Sequence, residues 1–160
     1  MSYETISNRI KDILNGVAGV HNVHTYMRDI SDEEEFERAF SIPIDGEETL
    51  LTSWMITRKS LATERQNLGT DVITVTHNIE IEGFYALKDA EQSELKFQEI
   101  LDQIITRFKS RFQLEDDGSN VLAGIEQTAA FEIPEIGHGE FSNYFVHFCR
   151  VVLFIKERIQ

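Results

Sequence analysis

His147 and Cys149 stand two apart in an apolar stretch near the end of the chain. Residues two apart on a strand share a face, and a Cys–His neighbour pair can act as nucleophile and base. Cys149 lies between Phe148 and Val151, however, and free cysteine is a common buried residue type, so the inert reading is the stronger one. Glu80 and Glu82 form a second pair. Paired carboxylates do acid–base work when a cleft shifts their pKa values. Beside Thr74, Thr76 and Asn78 they read instead as a solvated strand face. His21 and His24 are three apart, which puts them on opposite faces of a strand and rules out a shared metal there. His77 and His147 fall in apolar files and read as core histidines, and His138 sits in a glycine-rich turn. No Cys pair, no His-Glu-x-x-His spacing, no Gly-x-Ser-x-Gly elbow and no lysine-bearing phosphate loop is present. Gly16-Val17-Ala18-Gly19 lacks the basic residue of a phosphate-clamping loop. The sequence therefore predicts no catalytic, cofactor-binding or metal-ligating residue and no enzyme.

The elements around these residues say more. Ile73, Val75, His77, Ile79 and Ile81 alternate with Thr74, Thr76, Asn78, Glu80 and Glu82. That period of two marks a strand with one buried side. It predicts a long antiparallel hairpin over about 48–87, with strands Glu48–Thr63 and Thr70–Leu87 joined at Glu64–Gly69. Strands average about 5–6 residues, so the far end is expected to project beyond the core as an arm that needs a partner.

In chain order, Tyr3–Asn15 reads as a helix through Ile6, Ile10, Ile13 and Leu14, with Ser2 as cap and Gly16 ending it in a left-handed conformation. Val17–Met27 reads as a strand, with Asn22 a possible bulge. The acidic run from Asp29 to Phe40 reads either as a short helix, capped by Ser31 with Glu34 and burying Phe36, Ala39 and Phe40, or as a loop. Pro43 and Asp45-Gly46 mark a turn. After the hairpin, Asp89–Phe112 reads as the strongest helix, with Asp89 as N-cap. Glu115–Asn120 is a polar loop. Gln127–Ile133 is a strand stopped by Pro134, Ile136–Glu140 a turn, and Phe141–Arg158 the last strand. The fold class is α+β: a mostly antiparallel sheet in the order α-β-β-β-α-β-β, two helices on one face, and residues 1–160 forming a single domain.

With 160 residues, 41% hydrophobic and 27% charged, the chain is ordinary for a folded domain. A net charge of −13 disfavours nucleic-acid phosphates. Arg58, Lys59 and Arg65 cluster near the hairpin tip, but with Glu64 among them they read as a solvated loop. A lone cysteine fits a reducing compartment. Met1–Thr5 shows no basic region followed by an apolar run, and Val151–Ile155 is far short of the ~20 residues that span a bilayer. A soluble protein, assembled in the cytoplasm without membrane contact, is expected.

The last strand is apolar on both faces, which implies cover on both. Two helices cover one. On the other, Phe148, Val152 and Phe154 call for either a neighbouring subunit or the 29–47 segment folded across them. The interface candidates are thus Arg58, Lys59, Arg65 and Asn67 at the tip, with Phe148, Val152 and Phe154 on the outer face.

This order of elements resembles the tail-terminator proteins of long-tailed bacteriophages. The resemblance rests on Ile6–Leu14, Glu48–Leu87, Leu95–Phe112 and Gln127–Arg158, and it is one of order and length without a signature motif. The acidic 29–40 insert has no place in that pattern. The resemblance implies a structural protein of the virion tail or neck. It would form a hexameric ring, a homo-oligomer that caps the tail tube protein, stops tube growth and offers its other face to the head connector. DNA would pass through the channel without specific binding. Glu80 and Glu82, or the acids of 29–37, are the channel-lining candidates. The alternatives are another head–tail connector or neck component, a small-molecule-binding regulatory domain with a deep apolar pocket, and an enzyme with Cys149 or the Glu80/Glu82 pair in a cleft.

Overall fold

The computed structural model describes residues 3–30, 32–43, 49–65, 73–88, 91–110 and 131–159. Ile6, Ile10, Ile13 and Leu14 recur on one side of helix α1 (Tyr3–Asn15) and are buried together. The chain then turns, and Val17 and Val20 are buried beneath it. The expected strand over 17–27 shrinks to β1 (Val23–His24). Gly19, rather than Gly16, takes the left-handed conformation, and Asn22 takes it too, with φ 86° and 52° respectively. Two left-handed residues in that span prevent a continuous strand.

The acidic run resolves as a helix, α2 (Glu33–Phe40), with Asp32 rather than Ser31 as N-cap, its side chain accepting from Glu35 N–H. Ser31 lies outside the described residues. Phe36, Ala39 and Phe40 are its buried side, as expected. A short strand, β2 (Ser41–Pro43), follows where only a turn is expected. Asp45-Gly46 lies outside the described residues.

Two long strands come next, β3 (Thr49–Arg65) and β4 (Ile73–Ala86), antiparallel from Thr52↔Tyr85 to Arg65↔Ile73 with a bulge between Arg58 and Ser60. Asn67 and the rest of 66–72 lie outside the described residues. Helix α3 (Ser93–Ser110) starts later than expected. Asp89, Phe112, the loop at 115–120 and the first part of the Gln127–Ile133 stretch also lie outside them.

The last two strands differ most from the expectation. β5 (Phe131–Phe141) runs through Pro134 and through the supposed turn at 136–140, and β6 (Tyr144–Ile159) returns beside it. The turn is Ser142-Asn143, both residues at positive φ (47° and 67°), the twist a two-residue hairpin requires. Pro134 is tolerated because β5 is an edge strand and the register shifts there, between Glu132 and Glu135.

The result is an α+β fold around an open six-stranded sheet in the order β1-β3-β4-β6-β5, with β2 beside β3. All pairings are antiparallel except β1 with β3. α1 and α3 share one face, the inner face, with Trp54, Ile56, Ile79, Ile81, Val151 and Leu153. α2 lies on the opposite, outer face, against Leu51, Met55, Val146 and Phe84. The third helix, α2, is the helical one of the two readings of the acidic run, and it lies on the face opposite α1 and α3. β6 flanks β4 all the way from Ala86↔Val146 to Ile73↔Ile159, so the far end of the sheet is three strands wide.

Candidate functional site

Alternation places Glu80 and Glu82 of β4, Arg150 of β6 and Glu135 of β5 on the outer face, beyond the end of α2. The bulge in β3 swings Lys59 onto the same face. These five make a row of alternating sign across four strands. Lys59 Nζ is 2.9 Å from Glu80 Oε1 and 3.8 Å from Glu82 Oε1. Arg150 is 3.8 Å from the other Glu80 oxygen and pairs with Glu135. Glu80 is 8% exposed. Its hydrogen bond with Lys59 raises the ammonium pKa, and burial, reinforced by Glu80, raises that of Glu82. Glu80 thus offers little free negative charge to solvent, whereas Glu33, Glu34, Glu35 and Glu37 of α2 are exposed.

The interface candidates separate. Arg58 turns to the inner side and lies 5.0 Å over the Tyr3 ring, whose hydroxyl donates to Thr25 O and Ile56 O. Arg65 is exposed at the end of β3. Phe148, Val152 and Phe154 are half-buried. Phe148 is partly seated by its own chain: a Cβ added at Gly137 or Gly139 would come 3.2 or 3.7 Å from its ring. Those two glycines, which suggest a turn in the sequence, instead give a flat strand surface for a phenyl ring.

α2 covers the near half of the outer face with aromatic rings. Phe36 meets Phe40, Phe141 and Tyr144 at centroid distances of 4.7, 5.6 and 5.7 Å, and Phe84 stacks on Phe141 at 4.2 Å. Of the two covers expected for that face, α2, within the 29–47 stretch, supplies one over its near half. A cavity of about 500 Å³ lies between α2 and the β5–β6 turn, lined by Asp32, Glu33, Phe36, Ser142, Asn143 and Tyr144 among others.

Cys149 and His147, the pair that suggests nucleophilic chemistry, lie on the inner side. Cys149 is 1% exposed, and burial pushes its thiol up to about 12, which leaves little nucleophilic thiolate at neutral pH. His147 faces other partners. Its Nε2 is 2.9 Å from Ser93 Oγ and its Nδ1 2.9 Å from Glu94 Oε2. This serine–histidine–carboxylate cluster is invisible as a motif, because its members are 54 residues apart; a Ser-Glu pair at a helix start is its sole sequence signal. A nucleophilic serine needs an open hydroxyl and a sheltered acid. Here the hydroxyl is buried and accepts from Lys88 N–H, while the carboxylate side chain is 58% exposed. The cluster acts as a pin that ties the start of α3 to β6.

His77 Nε2 is 3.2 Å from Glu157 Oε2 on the inner side of the far end, and burial lowers the histidine pKa. His24 Nε2 reaches Ala39 O at 2.8 Å. His21 is exposed. Among the described residues no three His, Cys, Asp or Glu side chains group as metal ligands, and no helix is long and apolar enough to cross a membrane. No protein-family model and no curated protein matches the chain.

Proposed function

We propose that the chain is a structural subunit of the head–tail junction of a long-tailed bacteriophage, a tail terminator that assembles as a ring, most simply a hexamer. The observation that carries this reading is the far end of the sheet. From Arg58 to Arg65, β3 is exposed along its length while β4 and β6 run beside it to their ends. Such an extension calls for a neighbour. In support, the chain holds a first helix, a long strand pair, a later long helix and a closing strand pair, with β1, α2 and β2 inserted after the first helix.

In this reading one face of the ring caps the tail tube and the other meets the head connector. DNA passes through the channel, and an acidic lining keeps it from adhering. The exposed acids of α2 suit that lining better than Glu80, which Lys59 and Arg150 neutralise. The test is native mass by light scattering across a concentration series, alone and with purified tail tube. A closed oligomer, or one formed only on tube ends, supports the reading. A monomer at every concentration with no affinity for tube overturns it. The alternative, a small-molecule-binding domain, would have to use the cavity beside α2, which Asp32, Glu33, Ser142 and Asn143 make polar rather than apolar. A ligand screen read by thermal shift separates the two.

A further inference from the structure

The inner side of the far end holds two ionisable groups among apolar neighbours. His77 of β4 has Leu61 of β3 and Ile155 of β6 as its cross-strand partners. Glu157 stands two residues beyond Ile155 and so on the same face. It is the diagonal neighbour that the imidazole reaches, Nε2 to Oε2, at 3.2 Å. His77 is 2% exposed and Glu157 8%. A charge buried that deeply is costly unless it is paired and hydrogen-bonded.

Geometry fixes where the protons lie. An ionised carboxylate only accepts, so the one N–H of the neutral ring is on Nε2, and Nδ1 carries the bare lone pair. Nδ1 is enclosed and has no hydrogen-bond partner. A second proton can enter only there, where it makes a buried donor with no acceptor. The charges facing the ring divide. Glu157 from β6 favours the cation, whereas Arg58 from β3 and the amino terminus ahead of α1 oppose it. The neighbours along β4, Val75 and Ile79, are apolar and buried. Arg58 is held in place, because its guanidinium lies over the Tyr3 ring and Tyr3 is bonded to Thr25 O and Ile56 O.

Burial first, then these two cations, lower the His77 pKa from its ordinary 6.5. Above that ordinary value the closed and open states of the far end hold the same number of protons. As pH falls below it, the open state takes up a proton that the closed state refuses. Closure therefore weakens until the folded pKa is reached.

We propose that His77 is a proton-operated latch: while Nδ1 is bare the far end of β3, β4 and β6 is closed, and a proton forced onto Nδ1 opens that end while the core under α1 and α3 stays shut. The latch works within a single copy of the chain and does not rest on the ring reading.

The test is amide hydrogen exchange at about pH 7 and about pH 5, compared as protection factors. The β4 amides from Thr74 to Asn78 are expected to lose about tenfold in protection in acid, and those of α1 to lose none. His77→Gln offers Glu157 an N–H that does not titrate, so its far end is expected to be equally protected at both pH values. Glu157→Gln is expected to keep the acid loss. No acid loss in wild type overturns the latch, and so does an equal loss in His77→Gln. A loss abolished by Glu157→Gln alone also overturns it, by making the carboxyl the titrating group. A second measurement needs no variant. The ring nitrogen NMR shifts of wild type are expected to show His77 as the neutral Nε2–H form at the pH where exposed His138 is half protonated. A His77 that titrates with His138, or above it, overturns the proposal.

Discussion

The two faces of the sheet are built on different principles. The inner face is closed by α1 and α3 over a continuous apolar core from Ile6 to Ile155. The outer face is divided: α2 covers the near half with aromatic rings, and the far half carries a row of charges beside half-buried Phe148, Val152 and Phe154. The difference teaches where stability and recognition reside. Dry aliphatic packing is expensive to disturb, whereas a paired charge row contributes little stability and much specificity about what can approach it.

The contrast breaks most severely at Trp54. It is fully buried and stacks on Phe97 at 6.5 Å, so Trp54→Ala is expected to cost about 3–5 kcal/mol, seen as a lowered urea midpoint. Phe36→Ala is expected to cost about 3 kcal/mol, at the lower end for such a change, because Tyr144, one of its ring partners, is already 37% exposed. Hydrogen exchange sharpens the comparison here: amides near α2 lose protection while those of α1 and α3 keep theirs. Gly83→Ala probes how full the inner face is. Its added carbon would lie 2.3 Å from the Trp54 ring, and overpacking of this kind costs about 1–3 kcal/mol. Asp32→Ala removes the α2 cap and is expected to cost about 1 kcal/mol, checked by the same melt.

The smallest effect is one of pH. Burial, then Glu80, raises the Glu82 pKa above its ordinary 4.5. The folded state therefore holds that proton more tightly than the unfolded one, so its contribution is complete below pH 4.5 and lost as pH rises through the folded value. Glu82→Gln lacks this loss. Its melting temperature is expected to gain on wild type as pH rises from 4.5 toward neutrality, and a constant difference across that range would refute the assignment.

Local pattern made the inner face legible. The spacing of Ile6, Ile10, Ile13 and Leu14 marks α1 at its observed bounds, and the alternation from Ile73 marks β4. The outer face depends on partners far apart in sequence. Lys59, Glu80, Arg150 and Glu135 meet only once the register of four strands is set; on the inner side, likewise, Ser93 meets His147 only once α3 packs on β6. Gly137 and Gly139 misled for a related reason. A glycine that seats the ring of a neighbouring strand looks, in sequence alone, like one that makes a turn.

The bulge at Lys59 has one further consequence. Before it, even-numbered residues such as Trp54 and Ile56 face the core; beyond it, odd-numbered Leu61 and Thr63 share their side of the sheet with His77 and Val75. β3 is thus two segments written in opposite phase and spliced by a single residue. Deleting Lys59 would remove the bulge and leave Ser60 opposite Asn78 and Leu61 opposite His77, so the terminal segment would keep its faces while the charge row lost its lysine. The extra residue is a spacer that sets a lysine beside Glu80 and Glu82 without changing which side chains the terminal segment turns inward.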